Sequence, residues 1–204
     1  MPNIFKDFVT DLSSDFSSSK PAAAALSTFL IEKSKADPAQ LSFIYDATYG
    51  SNSRPIWSII NNKAGNPDVL IYKGESHPNN VFGDAKINSL SGSATLSLRG
   101  IPVKLKRSSM SDSYSVETQQ HGKMKWKPNP MTGSGLQLHD SSGLMVAKFQ
   151  SPGFASSGPK QLLVYVPADE FMMDLVVLSG MTIKLLKRQE NEAAGEIIQA
   201  VAGS

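Results

Sequence analysis

The sequence predicts a mainly β domain with some α structure: a closed β-barrel wrapped around a late apolar helix and preceded by a helical segment. Between Leu41 and Pro167 lie eleven short runs rich in β-branched and aromatic residues, each bounded by Gly, Pro, Asn, Asp or Ser, the punctuation of a barrel or sandwich. Directly after them, a helix running from Asp169 would carry Phe171, Met172, Met173, Leu175, Val176, Val177, Leu178, Met181, Ile183, Leu185 and Leu186, far more than the single apolar stripe of a surface helix. Such a helix has to be surrounded, and the strands are the elements available to surround it. No run repeats closely enough for propeller blades or a solenoid.

In chain order, residues 1–40 read as helical and separate from the strand-rich region. Ile4, Phe5, Phe8, Val9, Leu12 and Phe16 recur at helical spacing with Lys6, Asp7 and Asp11 between them. After the break Ser17-Ser18-Ser19-Lys20, Pro21 suits a first helical turn, and AAAALSTFLIEKSK is a good helix former with Leu26, Phe29, Leu30 and Lys33 on one face. Asp37-Pro38 ends it. The strand runs are LSFIYDA, RPIWSIIN, DVLIYKG, FGDAKIN, ATLSLRG, IPVKLKR, SYSVET, KMKWKP, LQLHD, LMVAKFQ and QLLVYVP. Alternation assigns faces in two of them: Ile101, Val103 and Leu105 oppose Lys104 and Lys106, and Met124 and Trp126 oppose Lys123, Lys125 and Lys127. The expected organisation is a helical segment over 1–40, a barrel over 41–190 with its central helix at 169–187, and a tail over 191–204. In that tail Ile197, Ile198 and Val201 suggest a short helical contact.

Bulk properties narrow the function classes. A hydrophobic fraction of 40% and a charged fraction of 19% belong to an ordinary globular chain, well away from the disordered class. A net charge of +2 is too mild to imply nucleic-acid binding without a clustered basic face. The absence of cysteine removes disulfides, thiolate catalysis and cysteine-ligated zinc together. The opening MPNIFKDFVTDLSSDF, with Asp7 and Asp11 and no continuous apolar core, fits neither a secretory signal nor a transit peptide. Asp174 and Lys184 interrupt the longest apolar run, which falls short of the roughly 20 residues needed to span a bilayer. The expected location is cytoplasmic, with peripheral attachment to a membrane as the furthest extension.

The run from His121 to Glu190, HGKMKWKPNPMTGSGLQLHDSSGLMVAKFQSP and onward through KQLLVYVPADEFMMDLVVLSGMTIKLLKRQE, resembles a fungal domain family of unknown function in the tubby C-terminal-like group. That group also contains the LURP-one-related proteins and the phospholipid scramblases. The resembling elements are the Trp126 strand, Leu136-x-Leu138-x-Asp140, Val146-Ala147-x-Phe149, and the closing strand with its apolar helix. The layout is similar over about 41–190 and the detail over 121–188. The resemblance implies an antiparallel barrel of about twelve strands around a hydrophobic C-terminal helix. It also implies binding of phosphoinositide headgroups through basic residues, as tubby proteins do, although no basic position matches residue by residue. The first 40 residues have no counterpart in the group.

The best candidate site is basic. Lys104, Lys106 and Arg107 on one strand and Lys123, Lys125 and Lys127 on another face only Asp112 and Glu117 between them. If the strands are neighbours, these cations form a patch worth up to about 1 kcal/mol per Lys or Arg near an anionic membrane. Otherwise they are a solvated face, on which lysines also discourage edge pairing. Trp126 invites a base-stacking reading, but alternation turns it away from the lysines and into the core. His77, His121 and His139 lie at turns without metal spacing, and adjacent strand residues such as His139 and Asp140 point to opposite faces. Asp169, Glu170 and Asp174 lack the ligand spacing of a calcium loop; the first two suit a helix's first turn. Phosphate-loop and nucleophile-elbow patterns are missing, so no enzyme, metal or cofactor is expected. The leading expectation is a noncatalytic binding or adaptor module for anionic phospholipid or another polyanion; nucleic acid is not expected. The alternatives are a structural or interaction protein self-associating through residues 1–36 and, more weakly, a small-ligand carrier or unrecognised enzyme, which a polar cavity would revive.

Overall fold

The computed structural model describes residues 24–202 except 39, 63–64, 130–134 and 152–157, with only the helical backbone beyond 194. Twelve strands precede one long helix: β1 (Ser27–Lys33), β2 (Leu41–Asp46), β3 (Trp57–Asn61), β4 (Val69–Lys73), β5 (Val81–Asn88), β6 (Ser93–Leu98), β7 (Ile101–Arg107), β8 (Tyr114–Thr118), β9 (Gly122–Pro128), β10 (Leu136–His139), β11 (Met145–Gln150), β12 (Lys160–Val164) and α1 (Glu170–Ala202). Each strand pairs with its neighbour in sequence, and β1 pairs antiparallel with β12, so the sheet is a closed up-and-down barrel. The eleven runs read as strands from the sequence are β2 to β12. The expected fold class, a closed antiparallel barrel with a C-terminal helix, is the one observed.

The twelfth strand corrects the sequence reading, because residues 27–33 form β1 and not part of a helix. Thr28-Phe29-Leu30-Ile31 is a β-branched and aromatic run. As a strand it turns Phe29 and Ile31 inward, opposite Leu162 and Lys160 on β12. Ile31 also sits opposite Ile44 on β2. The helix propensity of the preceding alanines is weak beside two ladders of backbone hydrogen bonds. The barrel therefore begins at Ser27, and the face expected to mediate self-association is part of the wall; the amphipathic stretch around Ile4 to Phe16 lies outside the described residues.

A second correction concerns the helix. It does not stop at residue 187 but continues through Ala202, and the expected tail is its extension, since residues 188–202 contain no proline and are rich in Ala, Glu and Gln. Asp169 caps its start, accepting the Met172 N–H at 2.7 Å, and Glu170 stands in the first turn.

The ten consecutive residues Asp174–Ile183 are all buried, nearly three turns with no side facing water. Wall residues meet this segment from around the ring. The indole N–H groups of Trp57 on β3 and Trp126 on β9 donate to Asp174 and Ser179, each at 2.9 Å. Gly83 on β5 leaves room for Leu178, whose Cδ2 would lie 3.3 Å from an added Cβ, and a Cβ on Gly180 would overlap the Phe149 ring on β11. The interior is thus filled by the helix and by inward Leu, Ile, Val, Met and Trp side chains.

Ala in place of Gly ordinarily stabilises a helix interior by roughly 0.5–1 kcal/mol. Here Gly180→Ala should instead destabilise by about 1–3 kcal/mol through overpacking against Phe149. The measurement is the urea midpoint, which should fall while the slope of the transition stays unchanged.

Candidate functional site

Polar side chains gather in three places on the barrel: one on the outer wall and one at each mouth. On the outer wall, β7 and β9 are not the neighbours that a two-strand patch requires; β8 lies between them. Through β8 the register aligns Lys106 with Ser115 and Ser115 with Lys125, while Glu117 stands opposite Lys123. Two strand spacings place the Lys106 and Lys125 backbones roughly 10 Å apart. That is about the Debye length in 0.1 M salt, so the charges still act jointly and salt weakens their sum. Lys104, Lys106, Lys123, Lys125 and Lys127 are all exposed, while Val103, Leu105, Met124 and Trp126 behind them are buried.

The register also adds two lysines beyond those that the sequence singles out. Lys86 on β5 aligns with Thr95, which aligns with Lys104. Lys148 on β11 aligns with Gln137, which aligns with Lys127. The basic wall is therefore centred on β7 to β9, and Lys86 and Lys148 flank it on β5 and β11, which stand half a ring apart; Asp84 and Glu117 are the acids in this outward register. Among the described residues none of these seven lysines is in an ion pair. Alternation is visible at both added positions, Ala85-Lys86-Ile87 and Ala147-Lys148-Phe149; the strand order that joins them to the patch is not.

Arg107 leaves this group. Being in phase with inward Val103 and Leu105, it turns to the barrel rim, where Nη1 meets Glu190 Oε1 at 2.5 Å and Nη2 lies 3.6 Å from Asp112. Its charge is used in tying β7 to α1.

At the mouth where α1 enters, Asp174 is a fully buried carboxylate. Lys73 Nζ lies 2.6 Å from one of its oxygens and Arg99 Nη2 2.8 Å from the other, with the Trp57 N–H as a third donor. Lys73, the inward residue at the end of β4, also stands 5.0 Å from the Trp57 ring centroid. Arg99 reaches the site because the two-residue β6–β7 turn, Arg99-Gly100, has positive φ at both positions, 52° and 78°. Glu170 completes the group at 2.8 Å from Arg99 and 3.1 Å from Lys73, and hydrogen bonds from Arg99 and then Lys73 hold its carboxyl below the ordinary value. Two cations and two anions satisfy one another here, which makes this a structural anchor.

At the opposite mouth the inward phase of β1 and β12 ends in cations, Lys33 and Lys160, and α1 contributes Lys184. They border a cleft of about 610 Å³. Lys184 Nζ lies 4.0 Å from the Phe149 ring centroid. Burial, and then the charge on Lys160, push the Lys184 ammonium down to about 7. Lys187 and Arg188 also line the cleft, but Asp112 binds Lys187 at 2.6 Å and Glu192 lies 3.6 Å from Arg188.

The histidines are occupied at turns and loop contacts. His77 accepts the Asn79 N–H at 3.3 Å, His121 stacks on Phe171 with centroids 6.0 Å apart, and His139 Nδ1 lies 3.1 Å from the Gly143 carbonyl. Asp140 accepts the N–H groups of Ser142 and Leu144, each at 2.9 Å, within its own turn. Among the described residues no group of three His, Asp or Glu side chains could hold a metal, and no helix is long and apolar enough to cross a membrane. Comparison with known protein families, curated proteins and solved structures finds no match to this chain.

Asp174→Ala leaves Lys73, Arg99 and the Trp57 N–H without their shared acceptor and should cost about 3 kcal/mol in chemical denaturation at neutral pH, with Asp174→Asn losing less because it retains an acceptor for Trp57. For Lys184 the folded pKa is the lower one, so its cost to stability is fully present below about pH 7 and is relieved as pH rises toward the ordinary lysine value of 10.5. Between pH 7 and pH 10 the wild type should therefore gain melting temperature relative to Lys184→Met; parallel curves would contradict this.

Proposed function

We propose that this protein is a noncatalytic, tubby-like binding module that docks on anionic phospholipid surfaces through its lysine wall. The observation that carries the reading is the cross-strand register, which collects Lys104, Lys106, Lys123, Lys125 and Lys127 on the outward face of β7 to β9, with Lys86 and Lys148 flanking it two staves away on either side. Edge protection does not account for these lysines, because β7 and β9 are interior staves of a closed ring. The barrel enclosing a C-terminal helix is the layout that the resemblance to the tubby C-terminal-like group implies, and headgroup binding through basic residues is the activity that resemblance suggests.

The mechanism is electrostatic. Backbone ladders fix the lysine Cα atoms, while flexible stems let the ammonium groups follow a fluid array of headgroups. At about 1 kcal/mol for each lysine near the surface, five of them supply roughly 5 kcal/mol. Attachment of that strength is weak, reversible and strongly dependent on salt, as befits an adaptor that visits a membrane.

The test is co-sedimentation with phosphatidylcholine vesicles containing phosphatidylinositol bisphosphate, at low and at physiological salt. Reversing Lys123, Lys125 and Lys127 to Glu should abolish most of the binding, whereas Arg107→Gln, which removes a charge already paired inside the rim, should leave it within about twofold. Unchanged sedimentation of the triple variant would rule out the lysine wall as the contact.

A further inference from the structure

The cleft at the mouth where α1 leaves the barrel differs from the lysine wall in shape and chemistry. Its volume of about 610 Å³ falls within the ordinary range for small-molecule sites. One side is apolar: Ile31, Leu136, Phe149, Met181 and Leu185. The other is cationic, and among the described residues no Asp or Glu lines it. Lys187 and Arg188 have carboxylate partners in Asp112 and Glu192. Lys33, Lys160 and Lys184 have no ion-pair partner among the described residues, and they come from three separate elements, β1, β12 and α1.

Lys184 is the anomaly that gives the cleft direction. It stands within the apolar part of the helix, one residue after fully buried Ile183 and one before buried Leu185. Its ammonium rests on the Phe149 ring rather than on a carboxylate. A helix position of this kind would be filled more stably by Leu or Met, since an unpaired cation over an apolar wall carries a desolvation cost. Lys160, the nearest like charge by its effect, raises that cost. An incoming anion would relieve both effects at once, and the apolar wall beside it would cover a chain attached to that anion.

We infer that this cleft binds a small acidic amphiphile, an anionic head on a single apolar chain, with the head held by Lys184, Lys160 and Lys33 and the chain laid against Phe149, Leu136 and Met181. The carboxylate of a fatty acid and the phosphate of a single-chain phospholipid are the two sources of such a head, and both present the same chemistry to the three lysines. The site does not depend on the outer wall: the lysines of β7 and β9 do not line it.

Calorimetric titration of the 204-residue chain tests this, with decanoate, decyl phosphate, decanol and inorganic phosphate as probes at concentrations below micelle formation. Decanoate or decyl phosphate should bind at least tenfold more tightly than decanol and than inorganic phosphate; whichever of the two acidic chains is tighter identifies the head group. Lys184→Met and the rim variant Lys33→Glu/Lys160→Glu, whose exposed positions leave the core intact, should each weaken the acidic probe tenfold or more. Titration at pH 8 in two buffers of different ionisation heat should show proton uptake in the wild type and none in Lys184→Met. The Lys123/Lys125/Lys127 reversal should bind the acidic chain as the wild type does, which separates this site from vesicle docking. Equal affinity for decanoate and decanol, equal affinity for phosphate with and without its chain, or indifference to both sets of lysine changes would overturn the assignment.

Discussion

A helix segment with no side facing water imposes the main constraint on this protein. Every polar atom on α1 between Asp174 and Ile183 must find its partner on the barrel wall or within the helix itself. The wall residues answer one by one: Trp57, Lys73 and Arg99 for Asp174, and Trp126 for the Ser179 hydroxyl, which in turn donates to the Leu175 carbonyl at 2.6 Å. These contacts also fix the helix along and about its axis. A shift of one residue would carry Asp174 away from two cations and drive a side chain into the space that Gly180 leaves for Phe149.

The fold is legible in the sequence to the extent that burial leaves a periodic trace. Alternation in IPVKLKR and KMKWKP places Leu105 and Trp126 inside, and the all-round apolar helix requires an enclosing sheet. The first stave is not legible because AAAAL favours helix locally, and the competing signal in TFLI is only four residues long. What makes Ser27–Lys33 a strand is the pair of open edges on β2 and β12, a tertiary fact absent from the local sequence. The same lack of strand order explains the candidate site: five of the six named cations share a face, Arg107 does not, and Lys86 and Lys148 join only once the register is known. Adjacency alone is enough to exclude Arg107, since it comes directly after Lys106 and must point the other way.

Positive charge stands in three different settings on one small domain, and position alone separates them. Lys73 and Arg99 neutralise the carboxylates of the helix start. The outward lysines of β5 to β11 have neither an edge to protect nor an ion pair among the described residues. Lys33, Lys160 and Lys184 point inward around a partly apolar cleft. A net charge of +2 conceals this division, because it sums the cations with carboxylates placed elsewhere; among the described residues no Asp or Glu lines the cleft.

The seam between β1 and β12 has a consequence for how the chain is made. The stave that closes the ring is synthesised early, whereas its partner and the helix that fills the interior come from the other end of the described chain. While translation proceeds, β1 has only β2 beside it, its other edge is open, and the inward side chains of all completed staves lack the helix that will cover them. Closure thus waits until β12 and α1 have left the ribosome. The nascent barrel passes through a stage with a bare strand edge and an uncovered apolar lining, the state most exposed to aggregation.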